Sequence, residues 1–581
     1  MGLISELRRR NVLRMAVLYA VAAWLIVQVA GVLIDLAKLP DWIGTTTLWL
    51  LAVGFPIALI FSWLYEITPE GISLEKEVDP EVSITQVTGR RLDFIVISLL
   101  CAAVILFAYD KWWIDPPPEN SIAVLAFSNM THDPAQEYFS DGISEELLNL
   151  LAKIPELRVI SRTSAFSYKG KKMRLAQIAE ELNVAHILEG SVRKTGDRIR
   201  ITAQLIETST DTHLWSETYD RRLDDVFAIQ DEIAEQVVEQ LKIAILAPLP
   251  KARVVNPKAH SLYLQAKHLG GQFTKESLEK SVALYEQALA IDSEYLPAWD
   301  GLASAYWNQA NMQSRSYEES VVLIRQVTEA ALAIDANHAF AHGSLGFIAT
   351  FYDGDLPIAA EHFNRALALD PTNPNILLDA ASLAKIMGRL DEAIEILEYV
   401  ASRDPVSAAI HNNLGTAYLY AGRLDEAIDS YRTVLNLSPS KSGTHAFMAM
   451  ALMLLGKPQE AFEEIELEPS GVWRTIVLPM IYHDLGQSVE SDASLAALIE
   501  EWGTDAAYNI AYILAYRKKA DGAFEWLGKE AEIGGPSLAE ILGFPLFANI
   551  QNDPRWLPFL ESIGKSPEQL DPIRFDVNLP K

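Results

Sequence analysis

The chain has 581 residues, more than one hydrophobic core accommodates, because single cores stop growing at about 250 to 300 residues. Its formal net charge of -29 argues against nucleic acid as a partner, since binding to phosphate backbones requires a basic surface. The single cysteine, Cys101, excludes intrachain disulfides and zinc sites built from cysteines. We therefore expect several domains, no cofactor and no metal site.

Three apolar runs near the amino terminus predict membrane spans at 15–34, 42–65 and 94–113. About 20 apolar residues suffice to cross a hydrocarbon core of about 30 Å. Tryptophans at the ends of the second and third runs are typical of the aromatic belts at membrane surfaces. The first run is longer than the apolar core of a cleaved signal peptide. We expect residues 1–115 to form a helical membrane anchor of three spans.

The basic residues beside these runs predict the orientation of the anchor. One side of the membrane carries most of them, and the residues on that side are Arg8, Arg9, Arg10, Arg14, Lys76, Arg90 and Arg91. The other side carries only Lys38 and Lys111. Since basic loops stay in the cytoplasm, we expect a cytoplasmic amino terminus in the inner (cytoplasmic) membrane. Everything after Trp113 would then be extracytoplasmic, which is the periplasm of a Gram-negative cell.

After the prolines at 116–118, the pattern changes to alternating strands and helices. The buried strand SIAVLAF precedes an amphipathic helix at 141–154, and a second helix at 175–183 leads into a hairpin whose turn is Thr195-Gly196-Asp197. A closing amphipathic helix covers 225–245. The order β-α-β-α-β-β-β-α over 119–250 predicts a two-layer α/β sandwich.

The residues of this domain resemble a known family. SIAVLAFSNMTHDPAQEYFSDGISEELLNLLAKIPELRVISRTSAFSYKGKK, followed by ILEGSVRKTGDRIRITAQLIETSTDTHLWSETYDR, is similar to the TolB amino-terminal-like (FlgO-like) domain of bacterial membrane proteins. RRNVLRMAVLYAVAAWL and FPIALIFSWLYEITPEGI of the anchor are similar to the same family. The resemblance implies association with the cell envelope and contacts with other proteins, and in some members attachment to nucleotide cyclase or winged-helix regulatory domains.

A fixed repeat of 34 residues begins near residue 256. Glycines at 388, 422 and 456 keep this spacing, as do alanines at 359, 393, 427 and 461 and prolines at 371, 405 and 439. This is the length and pattern of the tetratricopeptide (TPR) repeat, a pair of helices that stacks into a solenoid. We expect an all-α TPR solenoid of about eight helix pairs with a carboxy-terminal cap over 256–565, then a tail at 566–581.

Stacked TPR pairs form a groove, lined by the first helix of each pair, that binds extended peptides or helices. Carrying the groove positions of TPR proteins onto this sequence gives the candidate peptide-binding residues Asn375, Asp379, Ser382, Lys385, Asn413 and Thr416. Lys385 and Asn413 are residue types that clamp carboxylates, but the full clamp pattern is missing. The expected partners are therefore proteins or peptides. The sequence does not specifically predict a peptide bound through its carboxy-terminal carboxylate.

One basic stretch interrupts the acidic sequence between 153 and 200. Its candidate anion- or partner-binding residues are Arg162, Lys169, Lys171, Lys172 and Arg174. A basic surface of this kind can hold an anion, a lipid headgroup or an acidic partner. A solvated loop on an acidic protein explains the same residues equally well, and both interpretations stay open.

No catalytic signature is present, because phosphate-binding loops and nucleophile-elbow motifs are absent from the sequence. His338 and His342 have a spacing that can bind a metal on a helix, but no third ligand accompanies them. We expect an interaction scaffold of the bacterial envelope that can also form a homo-oligomer, and no enzyme. The alternatives are an envelope sensor that binds a small ligand through the α/β domain, and an enzyme with a pocket of convergent titratable groups.

Overall fold

The computed structural model describes residues 117–131, 133, 136–222, 225–242 and 256–580, together with scattered positions before residue 75. The chain divides into two units, Met1–Pro116 and Pro117–Lys581. Among the residues that the structure describes, no helix combines the length and the apolar composition that a bilayer span requires. The predicted third span and Cys101 lie outside the described residues.

In the first unit, the described positions of the first two predicted spans are helical except Tyr65. The Tyr19 hydroxyl donates to the carbonyl of Leu51 at 2.8 Å, and its ring lies 5.5 Å from that of Phe55. Strands β1 (Tyr65–Thr68) and β2 (Gly71–Leu74) pair antiparallel after them. Tyr65, which the sequence analysis placed at the end of the second span, therefore begins a strand.

The second unit starts with a small mixed sheet and its helices. The strands are β3 (Ser121–Val124), β4 (Ser128–Asn129), β5 (Arg158–Val159), β6 (His186–Thr195), β7 (Arg198–Glu207) and β8 (Thr212–Arg222). The helices are α1 (Glu137–Ala152), α2 (Arg162–Phe166), α3 (Leu175–Leu182) and α4 (Val226–Gln240). The strand order is β5-β3-β6-β7-β8, parallel between β5, β3 and β6 and antiparallel from β6 to β8.

This domain has more than two layers at its parallel end. Consecutive strand residues point to opposite faces of a sheet, yet Ile187 and Leu188 of β6 are both fully buried. Their partners across the ladder, Ile206 and Leu205, are buried as well. Helices therefore cover both faces there, whereas at the antiparallel end Arg200 and Thr202 leave one face open. The expected two-layer sandwich describes the antiparallel half only.

A solenoid of eight helix pairs follows within residues 256–580. The pairs are α5 (Pro257–Gly270) and α6 (Lys275–Ile291), α7 (Leu296–Asn311) and α8 (Tyr317–Ile334), α9 (Ala339–Ile348) and α10 (Leu356–Leu369), α11 (Pro374–Ile386) and α12 (Leu390–Arg403), α13 (Ala408–Tyr420) and α14 (Leu424–Leu437), α15 (Thr444–Leu454) and α16 (Pro458–Ile465), α17 (Gly471–Asp484) and α18 (Ser488–Trp502), and α19 (Ala507–Tyr516) and α20 (Ala520–Glu532). We number these pairs as repeats 1 to 8.

The 34-residue pattern is explained by the geometry of one repeat. Gly422 ends α13 with φ 73°, a left-handed conformation that costs glycine little, so the chain can turn sharply into α14. Ala427 is fully buried where the two helices meet. A Cβ at Gly415 would lie 2.8 Å from the Tyr431 ring, so these helices approach too closely for any larger residue. The prediction of a TPR solenoid is confirmed.

Repeat 3 contains one more residue than repeats 4 and 5 between the start of its first helix and the start of its second. The structure accommodates the extra residue as a π-helical turn, Ala349–Asp353, at the end of α9. Such turns absorb single insertions in helices and are frequent at functional sites. The turn pushes Phe351 and Tyr352 out of the helix packing, and both side chains are exposed.

The α/β domain and the solenoid share one continuous hydrophobic core that runs from the sheet into repeats 1 and 2. Helix α1 lies against α5, where a Cβ at Gly142 would meet Leu264 at 2.6 Å. Further along, Thr372 donates to the carbonyl of Ala152 at 3.0 Å, and Ser164 donates to Asp404 at 2.5 Å. The domain thus contacts the loops that lead into the first helices of repeats 4 and 5.

Candidate functional site

Repeats 4 and 5 carry all six predicted groove residues, on α11 and α13. Asn375 and Asn413 are exposed, and Ser382 is half-buried with its hydroxyl donating to the carbonyl of Leu378. Thr416 is buried, bonded to the carbonyl of Asn412 and approached by the Tyr431 hydroxyl at 3.4 Å. The structure therefore leaves Asn375 and Asn413 open to solvent but directs Thr416 into the solenoid.

The carboxy-terminal segment, which we define as residues 533–577, folds back onto these first helices. Glu540 accepts a salt bridge from Lys385 at 2.8 Å and a hydrogen bond from the Tyr420 hydroxyl at 3.0 Å. The ring of Phe544 contacts Tyr420 of repeat 5 at 5.0 Å and Tyr512 of repeat 8 at 5.1 Å. Lys385, a predicted groove residue, is thus paired within the chain.

The same segment continues across repeats 3 and 4. Arg389 donates to the carbonyls of Ile573 and Phe575 at 2.6 and 2.8 Å, and Asn364 donates to the carbonyl of Arg574 at 2.9 Å. Phe575 is almost fully buried. Residues 566–577, which the sequence analysis separated as a tail, are therefore packed against the solenoid. We call repeats 4 and 5 the covered half of the groove.

Asp379 lies on α11 between the loops held by the α/β domain and the end held by the carboxy-terminal segment. Its side chain is half-buried, and no described residue forms a hydrogen bond or an ion pair with it. Burial without a compensating partner raises its pKa to about 7. An unpartnered carboxyl of this kind can accept a hydrogen bond or a positive charge from a bound molecule.

Repeats 2 and 3 form the open half of the groove, and aromatic rings line it. We define the aromatic patch as Trp307, Tyr317, Phe347, Phe351 and Tyr352. The Trp307 ring is central, with centroid distances of 4.8 Å to Phe347, 5.9 Å to Tyr317 and 6.3 Å to Tyr352. Phe351 extends the patch from Phe347 at 4.7 Å. Sequence analysis missed this site, although the inserted residue in repeat 3 marked its position.

The basic stretch of the α/β domain is partly neutralised by α1. Arg162 forms a salt bridge with Glu145 at 3.0 Å, and Lys169 pairs with both Glu137 and Asp141 at 2.5 Å. These carboxylates raise the pKa of Lys169 despite desolvation, which acts in the other direction. The remaining basic residues Lys171, Lys172 and Arg174 are exposed and make no ion pair with any described residue.

The two histidines with metal-binding spacing do not converge. His338 contacts Asp300 at 2.6 Å, and His342 contacts His362 of α10 at 3.1 Å between their Nδ1 atoms. Desolvation and the neighbouring His342 lower the pKa of His362. Within the described part of the chain, no group of three potential ligands surrounds a common point.

A buried polar cluster joins the α/β domain to repeat 1. Lys267 of α5 lies 3.0 Å from Glu145 and donates to the Tyr263 hydroxyl at 3.2 Å. Nearby, Glu146 accepts a hydrogen bond from Gln230 at 2.6 Å and lies 3.4 Å from His260. These contacts link α1 of the α/β domain to α5 of repeat 1 through half-buried charged groups.

Comparison with known proteins identifies the repeats. Residues 378–442 match the family model described as tetratricopeptide repeat. They include five of the six predicted groove residues, Asn375 lying just before the match. The chain therefore contains TPR repeats, as the 34-residue spacing predicts.

Two curated relatives each match part of the chain. It is 41% identical over 186 residues, 31% of this chain and 32% of the relative, to the Rhizobium meliloti (strain 1021) protein named "Putative adenylate cyclase 3". It is 26% identical over 148 residues to the "Transcriptional regulator HilA" of Salmonella typhimurium (strain LT2), covering 26% of this chain and 27% of the relative. The chain thus spans about a third or less of the length of these relatives.

Among solved structures, the chain is similar to Pseudomonas aeruginosa PilF, with 18% identity and a TM-score of 0.30 over 36% of this chain and 92% of the other.

Proposed function

We propose that this chain is a membrane-anchored scaffold of the bacterial envelope that holds partner proteins on its TPR solenoid. The observation that supports this most directly is the open half of the groove, where the aromatic side chains of Tyr317, Phe351 and Tyr352 stay exposed beside one another. Contiguous exposed apolar side chains are a common mark of protein interaction sites. The absence of catalytic motifs from the sequence fits a role in binding rather than in catalysis.

The anchoring part of the proposal rests on the sequence and on the described positions of the first unit. Trp24, Trp49 and Leu50 occupy helical positions and expose 45%, 69% and 70% of their surface. Large apolar residues with such exposure fit a lipid environment better than water. A reporter fused after Pro118 should be active on the extracytoplasmic side of the inner membrane. A reporter active only in the cytoplasm would contradict both the orientation and the proposed periplasmic location.

A second candidate function is that of a regulatory component of envelope signalling. The identity to a relative named for an adenylate cyclase favours it, as does the fixed junction between the α/β domain and the solenoid, which would transmit a ligand-induced change. Cyclic nucleotide levels in cells with and without the chain test this candidate. If cyclic nucleotide levels stay unchanged under all envelope stresses tried, the regulatory function is wrong and only the scaffold function remains.

The scaffold role is tested by capturing partners with the full chain in detergent after crosslinking in intact cells. The proposal predicts defined proteins that copurify at constant stoichiometry and that capture this chain in the reciprocal experiment. A matched chain that retains the anchor and the α/β domain but lacks repeats 2 and 3 should capture none of them. Equal capture by both chains would show that the partners bind outside repeats 2 and 3.

A further inference from the structure

The aromatic patch lies outside the contacts that the carboxy-terminal segment makes with the solenoid. The carboxy-terminal segment contacts repeats 3, 4, 5 and 8 through Asn364, Arg389, Tyr420 and Tyr512. The patch is left outside these contacts, and Tyr317, Phe351 and Tyr352 keep 42%, 41% and 38% of their surface exposed. Met312 at its edge is 45% exposed.

The rings form a continuous surface with a hydrogen-bond donor. Trp307 touches three other rings of the patch, which fixes its orientation. Its indole N–H has no acceptor among the described residues, whereas Trp299 donates to the carbonyl of Ser293 at 3.0 Å. An indole N–H prefers a hydrogen-bond partner. Rows of aromatic rings with free donors bind polyproline II segments, whose carbonyls point outward and whose shape is already formed.

The charges around the patch favour a basic partner. Arg315 and Arg325, the basic residues beside it, are already paired with Glu319 and Asp353. Glu318 directly follows Tyr317 of the patch in α8, is exposed, and has no ion pair within the described structure. Ring faces and an unpaired carboxylate together attract a guanidinium or ammonium group.

We propose that the aromatic patch binds an extended, proline-rich segment of a partner protein that also carries Lys or Arg. This inference rests on the proposed scaffold function and specifies which partner the open half of the groove accepts. Prolines would stack on the exposed rings of Phe351 and Tyr352, a peptide carbonyl would accept from Trp307, and the basic side chain would reach Glu318. An anionic lipid surface or a nucleic acid would be repelled by the same charge.

The test uses the purified full chain in detergent and fluorescent peptides. The first peptide contains two Pro-x-x-Pro units and two arginines, the second has both arginines replaced by Glu, and the third has the prolines replaced by Ala. We expect the first to bind, and each of the others to bind at least about tenfold more weakly. Phe351→Ala should weaken the first peptide by about tenfold, and Glu318→Lys should weaken it while leaving the second peptide no weaker.

Leu557→Ala provides the matched control, since Leu557 is 50% exposed on the carboxy-terminal segment. It should bind the first peptide as the unaltered chain does. Equal binding of all three peptides, no binding of the first, or full binding by Phe351→Ala would overturn the inference. If Phe351→Ala still captures the same cellular partners as the unaltered chain, this inference is wrong but the scaffold function stands. If the unaltered chain captures none, the scaffold function itself fails.

Discussion

The open and covered halves of the groove are built from the same kind of helix but present different surfaces. In the covered half, Tyr420 contacts the chain's own Phe544, which exposes 2% of its surface and which packs in turn against the fully buried Phe547. In the open half, Trp307 and Phe347 contact rings that remain exposed. The solenoid therefore buries its apolar inner face against its own carboxy-terminal segment wherever that segment reaches. Where that segment does not reach, aromatic rings stay exposed, and we propose that an external partner covers them.

The largest effect is expected from loosening the carboxy-terminal segment that covers repeats 4 and 5. Phe547 is fully buried against Tyr508, Phe544 and Trp556, so Phe547→Ala would leave a cavity and lower the free energy of unfolding by about 3 to 5 kcal/mol. Thermal unfolding of the purified full chain measures the loss. Phe351→Ala in the open half is the matched variant and should cost less than about 1 kcal/mol. Equal losses would mean that the two halves do not differ in packing.

A pair of glycine substitutions tests how closely the helices of the solenoid pack. Gly415→Ala should destabilise the chain by about 1 to 3 kcal/mol, because the new methyl would lie 2.8 Å from the buried ring of Tyr431. Gly528→Ala, in α20, meets no atom within 4 Å and should stabilise it by about 0.5 to 1 kcal/mol. The same thermal unfolding assay applies. A neutral Gly415→Ala would show that the helices of repeat 5 are less closely packed than described.

Asp379 tests the covered half through pH. Its pKa of about 7 lies above the ordinary value of about 3.9, so the folded chain holds this proton longer than the unfolded chain. This carboxyl therefore lowers stability progressively as pH rises from about 4 to about 7. Asp379→Asn should raise the free energy of unfolding at pH 8 by about 1 to 2 kcal/mol, less than the full shift because the group is partly solvated, and change little at pH 4. Asp391→Asn is the control and should give no such gain at pH 8. An equal gain in the free energy of unfolding from Asp379→Asn at both pH values would contradict this explanation.

The smallest effect on stability is expected from the basic stretch. Reversing Lys171, Lys172 and Arg174 to Glu should change the free energy of unfolding by less than about 1 kcal/mol, because exposed charges contribute little. If the stretch binds anions, retention on anionic liposomes at low salt should fall, and high salt should abolish the difference. Retention that is equal and independent of salt would assign the stretch to a solvated loop. Arg162 and Lys169 are less suitable for this test, since α1 already pairs them.

The sequence predicts well what depends on local periodicity. Spacing alone places the glycine turns at 388, 422 and 456 and the buried alanines, because each repeats a local packing requirement. The fold of the carboxy-terminal segment onto the groove depends on contacts such as Lys385 with Glu540, whose partners are far apart in the sequence and carry no periodic signal. The same holds for Ser164 with Asp404, which ties the α/β domain to repeat 5.

The candidate site was predictable only in part for the same reason. Groove positions can be assigned from the repeat, but whether Thr416 faces a ligand or the buried Tyr431 depends on packing between helices. The aromatic patch arises from one inserted residue in repeat 3, which the sequence reveals as a spacing change without showing that the chain forms a π-helical turn there. Nor does the sequence reveal that Asp379 lacks a partner.

Site-specific photocrosslinking in living cells tests whether partners bind at the open half of the groove. A photoreactive amino acid is placed in the full chain at Phe351 in the open half or, as a control, at Leu557 on the carboxy-terminal segment, both of which are exposed. The account predicts that the probe at Phe351 forms a discrete adduct with another protein, that Glu318→Lys weakens this adduct, and that the probe at Leu557 forms none. Adducts from Leu557 alone, or from neither position, would contradict the claim that the open half of the groove is where this solenoid holds its partners.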